Sequence, residues 1–446
     1  MASNGRVATT GRSELGAAVL EVPDDGGCSP ASRIEYRTRW VYFCLFIWLQ
    51  SSGRFMSLYY LDKGLSHAEI GAVFATGSLL TPVGAMLTGH MADRCALSRG
   101  PVARLYIFAA CIFVGTVVFL LQAVPWPGVP VFTQMLTCNA LLFPARSAAC
   151  GLLDAITLQA LRDRQLYGKE RLFGAYGFAL MGLLIGIMLE WFGFGILHIC
   201  KPLCAVAVLA ALARTGEPPI NVDRAQHSVD RALAEPENSR TNVSLRLSAL
   251  IFSYASSAAK IGFFIYAFTL AVGTAIVENL TFLYFRDLNA SYIVCGLSVT
   301  VTVLFEIPLF ARSKQLLERF GPRGCLVIAG LCYSFRVVGY TLVPSGAWIL
   351  AFEPMHGTTY AFRQTANVEI MASITPCAFI ATGQAVLGCV SSLGSFCGTF
   401  GAGQIIERYG EAMCYRSAAL FVGLGLSVFI LLNTSRFSNF ARGPGD

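Results

Sequence analysis

The sequence predicts an all-α membrane protein whose twelve transmembrane helices form two six-helix bundles in parallel repeat. The first observation is a duplicated pattern. Leu58-Tyr59-Tyr60-Leu61-Asp62, followed by Ser66 and Gly71, returns about 225 residues later as Leu283-Tyr284-Phe285-Arg286-Asp287, followed by Ser291 and Gly296. Gly186, Glu190 and Gly193 are echoed at identical spacing by Gly403, Glu407 and Gly410, and Pro82 ahead of Asp93-Arg94 by Pro308 ahead of Glu318-Arg319. A repeat on the scale of half the chain means two homologous units with the shared site between them. The second observation is composition: 55% of residues are apolar and 13% charged, against roughly 25% charged in soluble domains. A soluble chain of this length would need far more polar surface to cover its core. The third is a set of twelve stretches close to the roughly 20 apolar residues that a membrane helix requires.

Taken in order, residues 1–35 are rich in Gly, Ser and Ala and lack an apolar signal core, which predicts a disordered cytoplasmic tail. Position 2 is Ala, so the myristoylation motif is absent. The first bundle, 36–213, holds spans at 38–61, 68–90, 103–124, 130–160, 171–192 and 195–213. The linker 214–260 begins polar, with Pro218-Pro219, and its apolar stretch 245–259 is too short to span comfortably. Lys260 separates that stretch from the next span, so it reads as an interfacial helix on the inner leaflet. The second bundle, 261–433, holds spans at 261–286, 291–311, 324–343, 346–370, 376–400 and 412–433, and 434–446 is a second cytoplasmic tail.

Lys and Arg set the orientation. Arg94, Arg99 and Arg104 fall between spans two and three, Arg162, Arg164 and Lys169 between four and five, and Arg312, Lys314, Arg319 and Arg323 between eight and nine. The opposite loops carry little beyond Lys63, Arg286 and Arg408. The positive-inside rule therefore places both termini and the central linker in the cytoplasm. It also explains the net charge of +7 as membrane topology, which argues against nucleic acid as a partner. The sequon Asn289-Ala290-Ser291 would face outward but close to the bilayer, whereas Asn242 and Asn433 fall on the inner side. Fifteen cysteines form no CxxC pair, and Cys200 and Cys204 have no histidine pair beside them, so they read as reduced apolar residues and no metal site is expected.

Gly89-His90-Met91-Ala92-Asp93-Arg94, followed by Arg99 and Gly100, resembles the loop motif between the second and third helices of the major facilitator superfamily. With the repeat, the resemblance covers about residues 36–433. It implies a transporter whose loop Asp sits near a helix N-terminus across the half-bundle while its Arg ties neighbouring helices, a latch released as the halves rock. Gly89, Asp93 and Arg94, with Glu318 and Arg319 in the second half, are the gating residues it implies. Leu153-Asp154-Ala155-Ile156-Thr157-Leu158, Tyr167-Gly168 and Arg171-Leu172-Phe173-Gly174 look like the corresponding region of lactose permease and the nucleoside–proton symporters. Phe305-Glu306-Ile307-Pro308 and Glu353-Pro354-Met355-His356-Gly357 are similar to motifs of the major facilitator domain-containing protein six subgroup.

An ionisable group inside a span is expensive and is a functional hypothesis by default. Asp154 and Arg171 would come to similar depth on spans four and five; the resemblance implies solute binding, and a static ion pair is the other reading. In the second half Glu306, Arg336, Glu353, His356 and Arg363 lie on three neighbouring spans. Positions 353, 356, 360 and 363 recur at helical spacing, forming one polar stripe. An acid, a histidine and an arginine on adjacent helices resemble the proton-coupling cluster of the lactose permease type, because a desolvated carboxylate holds a proton that an approaching Arg displaces. Here Glu353 precedes His356, the reverse of that permease, which leaves Glu306 as an alternative proton carrier; a buried network that only locks the half is the structural reading. Pro308 would open the backbone beside Glu306. Glu278 and Asn279 occupy the repeat positions of Gly53 and Arg54 and are candidates for solute binding, as are Tyr59 and Tyr284, a repeat-related pair that could also form an outer gate. Arg54 either lines the cavity or snorkels to the interface. Glu190 and Glu407 read as solvated caps or gate contacts.

No phosphate-cradling glycine loop, cofactor motif or nucleophile–base set is present, which argues against ATP-driven transport and against an enzyme. Span five lacks the Gly-Pro motif associated with antiporters of the superfamily. The resemblance therefore implies a monomeric, proton-coupled symporter in lipid, moving a small polar solute with sugars and nucleosides favoured. The rival is a polytopic receptor or scaffold that keeps the fold without transport, with the linker as a docking segment.

Overall fold

The computed structural model describes residues 30–100, 102–161, 167–215, 250, 252–376 and 379–437. Most of the first tail, Arg162 and Arg164, nearly all of the linker before residue 252, and the end of the last tail lie outside these residues, as does most of the expected interfacial helix.

Among the described residues, thirteen α-helices account for twelve spans. The first span is split into α1 (Pro30–Gln50) and α2 (Met56–Asp62), and the first bundle continues through α3 (His67–Arg99), α4 (Val102–Leu121), α5 (Val131–Ala160), α6 (Tyr167–Phe192) and α7 (Gly195–Ala213). The second comprises α8 (Ala258–Asp287), α9 (Tyr292–Ala311), α10 (Ser313–Tyr340), α11 (Glu353–Ile374), α12 (Ile380–Tyr409) and α13 (Glu411–Phe437). Nine of these helices, among the described residues, are apolar enough to qualify as spans by composition. The exceptions are the split first span, α10 and α11, which hold or adjoin Arg54, Arg336, Glu353, His356 and Arg363. These exceptions give up hydropathy to carry polar groups.

Two boundaries differ from the sequence reading, while the ninth span keeps its expected start after a kink. The first span is not continuous: Ser51–Phe55 form a turn between α1 and α2. The tenth does not begin at 346, because Gly346–Ala351 form a 3₁₀ turn and α11 starts at Glu353 with Pro354 in its first turn, where the missing N–H costs nothing. The ninth kinks at Gly321 (φ 64°), followed by Pro322, so Ser313–Phe320 is a separate segment leading into the span. Lys260 lies within α8 and donates to Ser253 O at 2.9 Å, tying the preceding turn to that helix.

The repeated motifs turn out to pack on one another. α3 lies against α12 and α6 against α9, and these two pairs join the bundles. At one end of the molecule, here the Ser66 end, a Cβ at Gly71 would meet Thr399 O at 2.5 Å and Gly403 Cα at 2.9 Å. A Cβ at Gly186 would likewise meet Tyr292 O at 2.5 Å and Gly296 Cα at 3.1 Å. Small residues let backbones touch where hydrophobic contrast cannot drive helices together in lipid. Toward the opposite end, that of Asp93, Gly89 on α3 and Gly388 on α12 have open space beside them. The small-residue contact seen at the Ser66 end is therefore not repeated at these two glycines.

Candidate functional site

Between the bundles lies a cavity of about 430 Å³, lined from both halves. Its charged lining is Arg54 and Arg146 from the first half and Glu278, Glu306 and His356 from the second. Gln50, Ser147, Thr81, Asn279, Thr302 and Tyr360 add polar groups, and Phe46, Phe74, Phe143 and Phe178 form an aromatic wall.

The break in the first span builds much of this site. Where α1 stops, its last carbonyls need donors from elsewhere. Lys201 on α7, fully buried, donates to Trp48 O at 2.6 Å and to Ser52 Oγ at 3.1 Å, with Nζ 4.0 Å from the Trp48 ring centroid. Arg146 on α5 donates to Leu49 O at 3.1 Å. Two cations at a helix C-terminus are also favoured by the helix dipole. Gly53 follows because the Gln50 side chain folds over it: a Cβ there would stand 2.1 Å from Gln50 Oε1. Arg54, the next residue, reaches across to the second half and donates to His356 Nε2 at 3.0 Å. That bond places the imidazole proton on Nδ1, which finds no acceptor. Both polar atoms of the Gln50 amide are also unpaired and buried.

Glu306 and Glu353 have different settings. Glu306 is the acid on which Arg54, Glu278 and Arg171 act electrostatically, and its helix continues through Pro308. α11 approaches closely here, a Cβ at Gly357 meeting Glu306 N and Thr302 O at 2.8 Å. Glu353, by contrast, is turned away from the cavity. It accepts from Thr302 Oγ1 at 2.6 Å and from Tyr340 OH at 2.5 Å. Arg336 is fully buried over the Tyr340 ring, with centroid distance 5.6 Å and no acceptor at any guanidinium nitrogen. Arg363 donates to Thr274 Oγ1 at 2.9 Å and stacks 5.6 Å over Tyr360. The expected stripe on α11 thus splits: His356 and Tyr360 line the cavity, while Glu353 and Arg363 face neighbouring helices.

Asp154 and Arg171 form an ion pair at 3.1 Å, extended by Tyr42 OH donating to Asp154 at 2.8 Å. Neither lines the cavity. Tyr59 and Tyr284 are each packed within their own half. Tyr59 donates to Gln122 O at 3.2 Å beside His198, and Tyr284 donates to Tyr340 O at 3.1 Å beside Tyr415. Neither ring lines the cavity.

At the Asp93 end, Asp93 pairs with Arg104 of α4 at 2.7 Å, and Arg104 also donates to Gln159 of α5 at 2.8 Å. The Asp is thus held by a guanidinium from the first turn of α4 and is 69% exposed. Arg94 is exposed, and Gly89 faces open space. Glu318 lies 4.0 Å from Lys314 on the surface, and Arg319 stacks on Phe320.

Sequence reasoning passed over Arg146, Lys201 and the Thr38–Arg39–Glu170 cluster, in which Glu170 accepts at 2.7 Å from Thr38 and 2.6 Å from Arg39. Arg146 and Lys201 are charges within apolar runs and carried the same signal as Arg336.

Two bundles related by a repeat, with a polar cavity between them, define the architecture, and comparison places it. The chain belongs to the MFS_1 like family. The match extends over residues 36–417. Among curated relatives of this MFS_1 like chain, the maltose permease of Geobacillus stearothermophilus is 22% identical over 395 residues, covering 88% of this chain and 92% of that one. The raffinose permease of Escherichia coli is 23% identical over 346 residues, covering 72% and 74%. Among solved structures, the nucleoside transporter NupG superposes with a TM-score of 0.71 at 18% identity, over 90% of this chain and 98% of that one. A D-xylose-proton symporter gives 0.65 at 15% identity, over 89% and 96%. The chain is therefore an integral, multi-pass membrane protein with the major facilitator fold, and not an enzyme.

Proposed function

We propose that the protein is a secondary transporter that moves a small polar solute, sugar- or nucleoside-like, by alternating access with proton symport. The observation that carries this reading is the cavity itself. It is sized for a small molecule, lies between two halves whose close small-residue contacts are at the Ser66 end, and is crossed by the Arg54–His356 bond. Permease relatives support the solute class. In this reading Arg54, Arg146, Glu278 and Asn279 meet the solute against the aromatic wall. Glu306 carries the proton, because it is a cavity acid on which Arg54 acts, and the Arg54–His356 bond must change when the halves rock. Glu353, Arg336 and Arg363 hold the geometry of the second half. Asp154–Arg171 and Asp93–Arg104 brace the first half at the Asp93 end, which the basic loops assign to the cytoplasm. One chain holds the whole cavity, in keeping with function as a monomer.

The test is reconstitution in proteoliposomes containing a pH dye, with sugars and nucleosides added outside. Solute-driven acidification that disappears in Glu306→Gln, with the variant still folded, is the expected result. Solute uptake with no proton movement would overturn the coupling. Binding of a solute without uptake would favour a receptor that keeps the fold.

A further inference from the structure

The repeat sets unlike residues around the cavity. Gly53-Arg54 in the first half corresponds to Glu278-Asn279 in the second, and all four line the same space. The first half thus contributes the cations Arg54 and Arg146, and the second the acids Glu278 and Glu306. The cations already have partners inside the protein. Arg54 is bonded to His356 Nε2, and Arg146 donates to Leu49 O and lies 5.7 Å from the Phe143 ring centroid. The acids do not. Among the described residues, neither Glu278 nor Glu306 accepts a hydrogen bond or stands in an ion pair. They act electrostatically on one another and on Tyr360.

Two further features of the lining point to a ligand. Gln50 is fully buried, lines the cavity, and leaves both its amide oxygen and its amide nitrogen without a partner. Buried polar groups are nearly always hydrogen-bonded, so this amide is provided for something the protein alone does not supply. The phenylalanines of the wall, Phe46, Phe74, Phe143 and Phe178, offer ring faces that attract cations. What the cavity lacks is a donor that also carries positive charge. A neutral hydroxyl could reach an acid, but a charge-assisted hydrogen bond is roughly twice as strong.

We propose that the solute carries an ammonium group received by Glu278, together with hydroxyl groups that pair with the Gln50 amide, which makes it an amino sugar or an amino-nucleoside by chemical class. Glu306 holds its proton while the solute is bound, so the two acids divide the work: one takes the ammonium, the other the coupled proton. Arg54 and Arg146, engaged by His356 and Leu49 O, turn their remaining N–H groups to the solute's hydroxyl oxygens. The inference rests on the transport reading in taking this cavity as the solute site and Glu306 as the proton carrier.

Equilibrium binding to the purified full chain in detergent tests it without requiring transport. The probes are matched pairs: D-glucosamine against D-glucose, and an adenosine whose 5′-hydroxyl is replaced by an amine against adenosine itself. Binding is measured at about pH 6.5, where such amines are protonated. In at least one pair the ammonium member should bind about tenfold or more tightly than its hydroxyl twin. Glu278→Gln should abolish that preference, Glu278→Asp should keep it, and Gln50→Leu should weaken both members of the pair alike. Equal or tighter binding of the hydroxyl twins, a preference that survives Glu278→Gln in folded protein, or no binding of any probe would overturn the proposal. An ammonium preference without uptake would count against the transport reading alone. Uptake of neutral solutes with no ammonium preference would count against this inference alone.

Discussion

Single side chains decide most of the buried electrostatics. Glu170 is fully buried and held by Thr38 and Arg39. Removing one member of such a pair strands a charge, so Glu170→Ala should lower stability by about 3–5 kcal/mol, read by thermal unfolding in detergent. Tyr340→Phe removes one of the two donors to Glu353 and should cost about 1–3 kcal/mol while leaving the cavity lining intact. That variant should bind solute with unchanged affinity, whereas Arg146→Ala should weaken binding, since Arg146 borders the cavity and also holds Leu49 O. Glu306, Arg336, Glu353, His356 and Arg363 were legible in the sequence from their positions within apolar runs, whereas Arg146 and Lys201 were passed over. Their partners were not legible. Helical spacing put Glu353 and His356 on one stripe, but Thr302 and Tyr340 turned Glu353 away, and such contacts depend on neighbours that periodicity cannot see.

Breaks and close approaches give the helices their functional shape. The turn at Ser51–Phe55 presents Gly53 and Arg54 to the cavity because Lys201 and Arg146 satisfy the carbonyls left by α1. Lys201→Met should therefore destabilise the protein and raise the solute KM, with Lys201→Arg restoring part of both, measurable by unfolding and uptake on the same preparations. Apolarity marked the first span but not this break, which has no proline and only one glycine to announce it. The repeat was the more informative signal. It identified Gly71, Gly186, Gly296 and Gly403 before any contact was known, and all four lie where α3 meets α12 and α6 meets α9. A side chain at Gly296 would collide with Gly182 O and Gly186 Cα. Gly296→Val should thus disfavour the closed Ser66 end and cut uptake about tenfold or more, with the protein still folded.

For the whole molecule, two bundles share one cavity and pack closely through small residues at the Ser66 end. Composition, repeat and span count made the architecture readable from sequence, because bilayer thickness and backbone satisfaction leave few alternatives. The state of the gate was not readable, since one sequence serves every state of a rocking cycle. The central claim is that the bundles exchange which end is closed around a site that stays in place. Paired distance measurements, with spin labels carried on noncanonical residues, test it directly. One pair joins His90 on α3 to Cys389 on α12 at the Asp93 end, and the other joins Lys63 to Tyr409 at the Ser66 end. Added solute under a proton gradient should shorten the first distance and lengthen the second in the same sample. Both distances unchanged, or both moving in the same direction, would contradict the account.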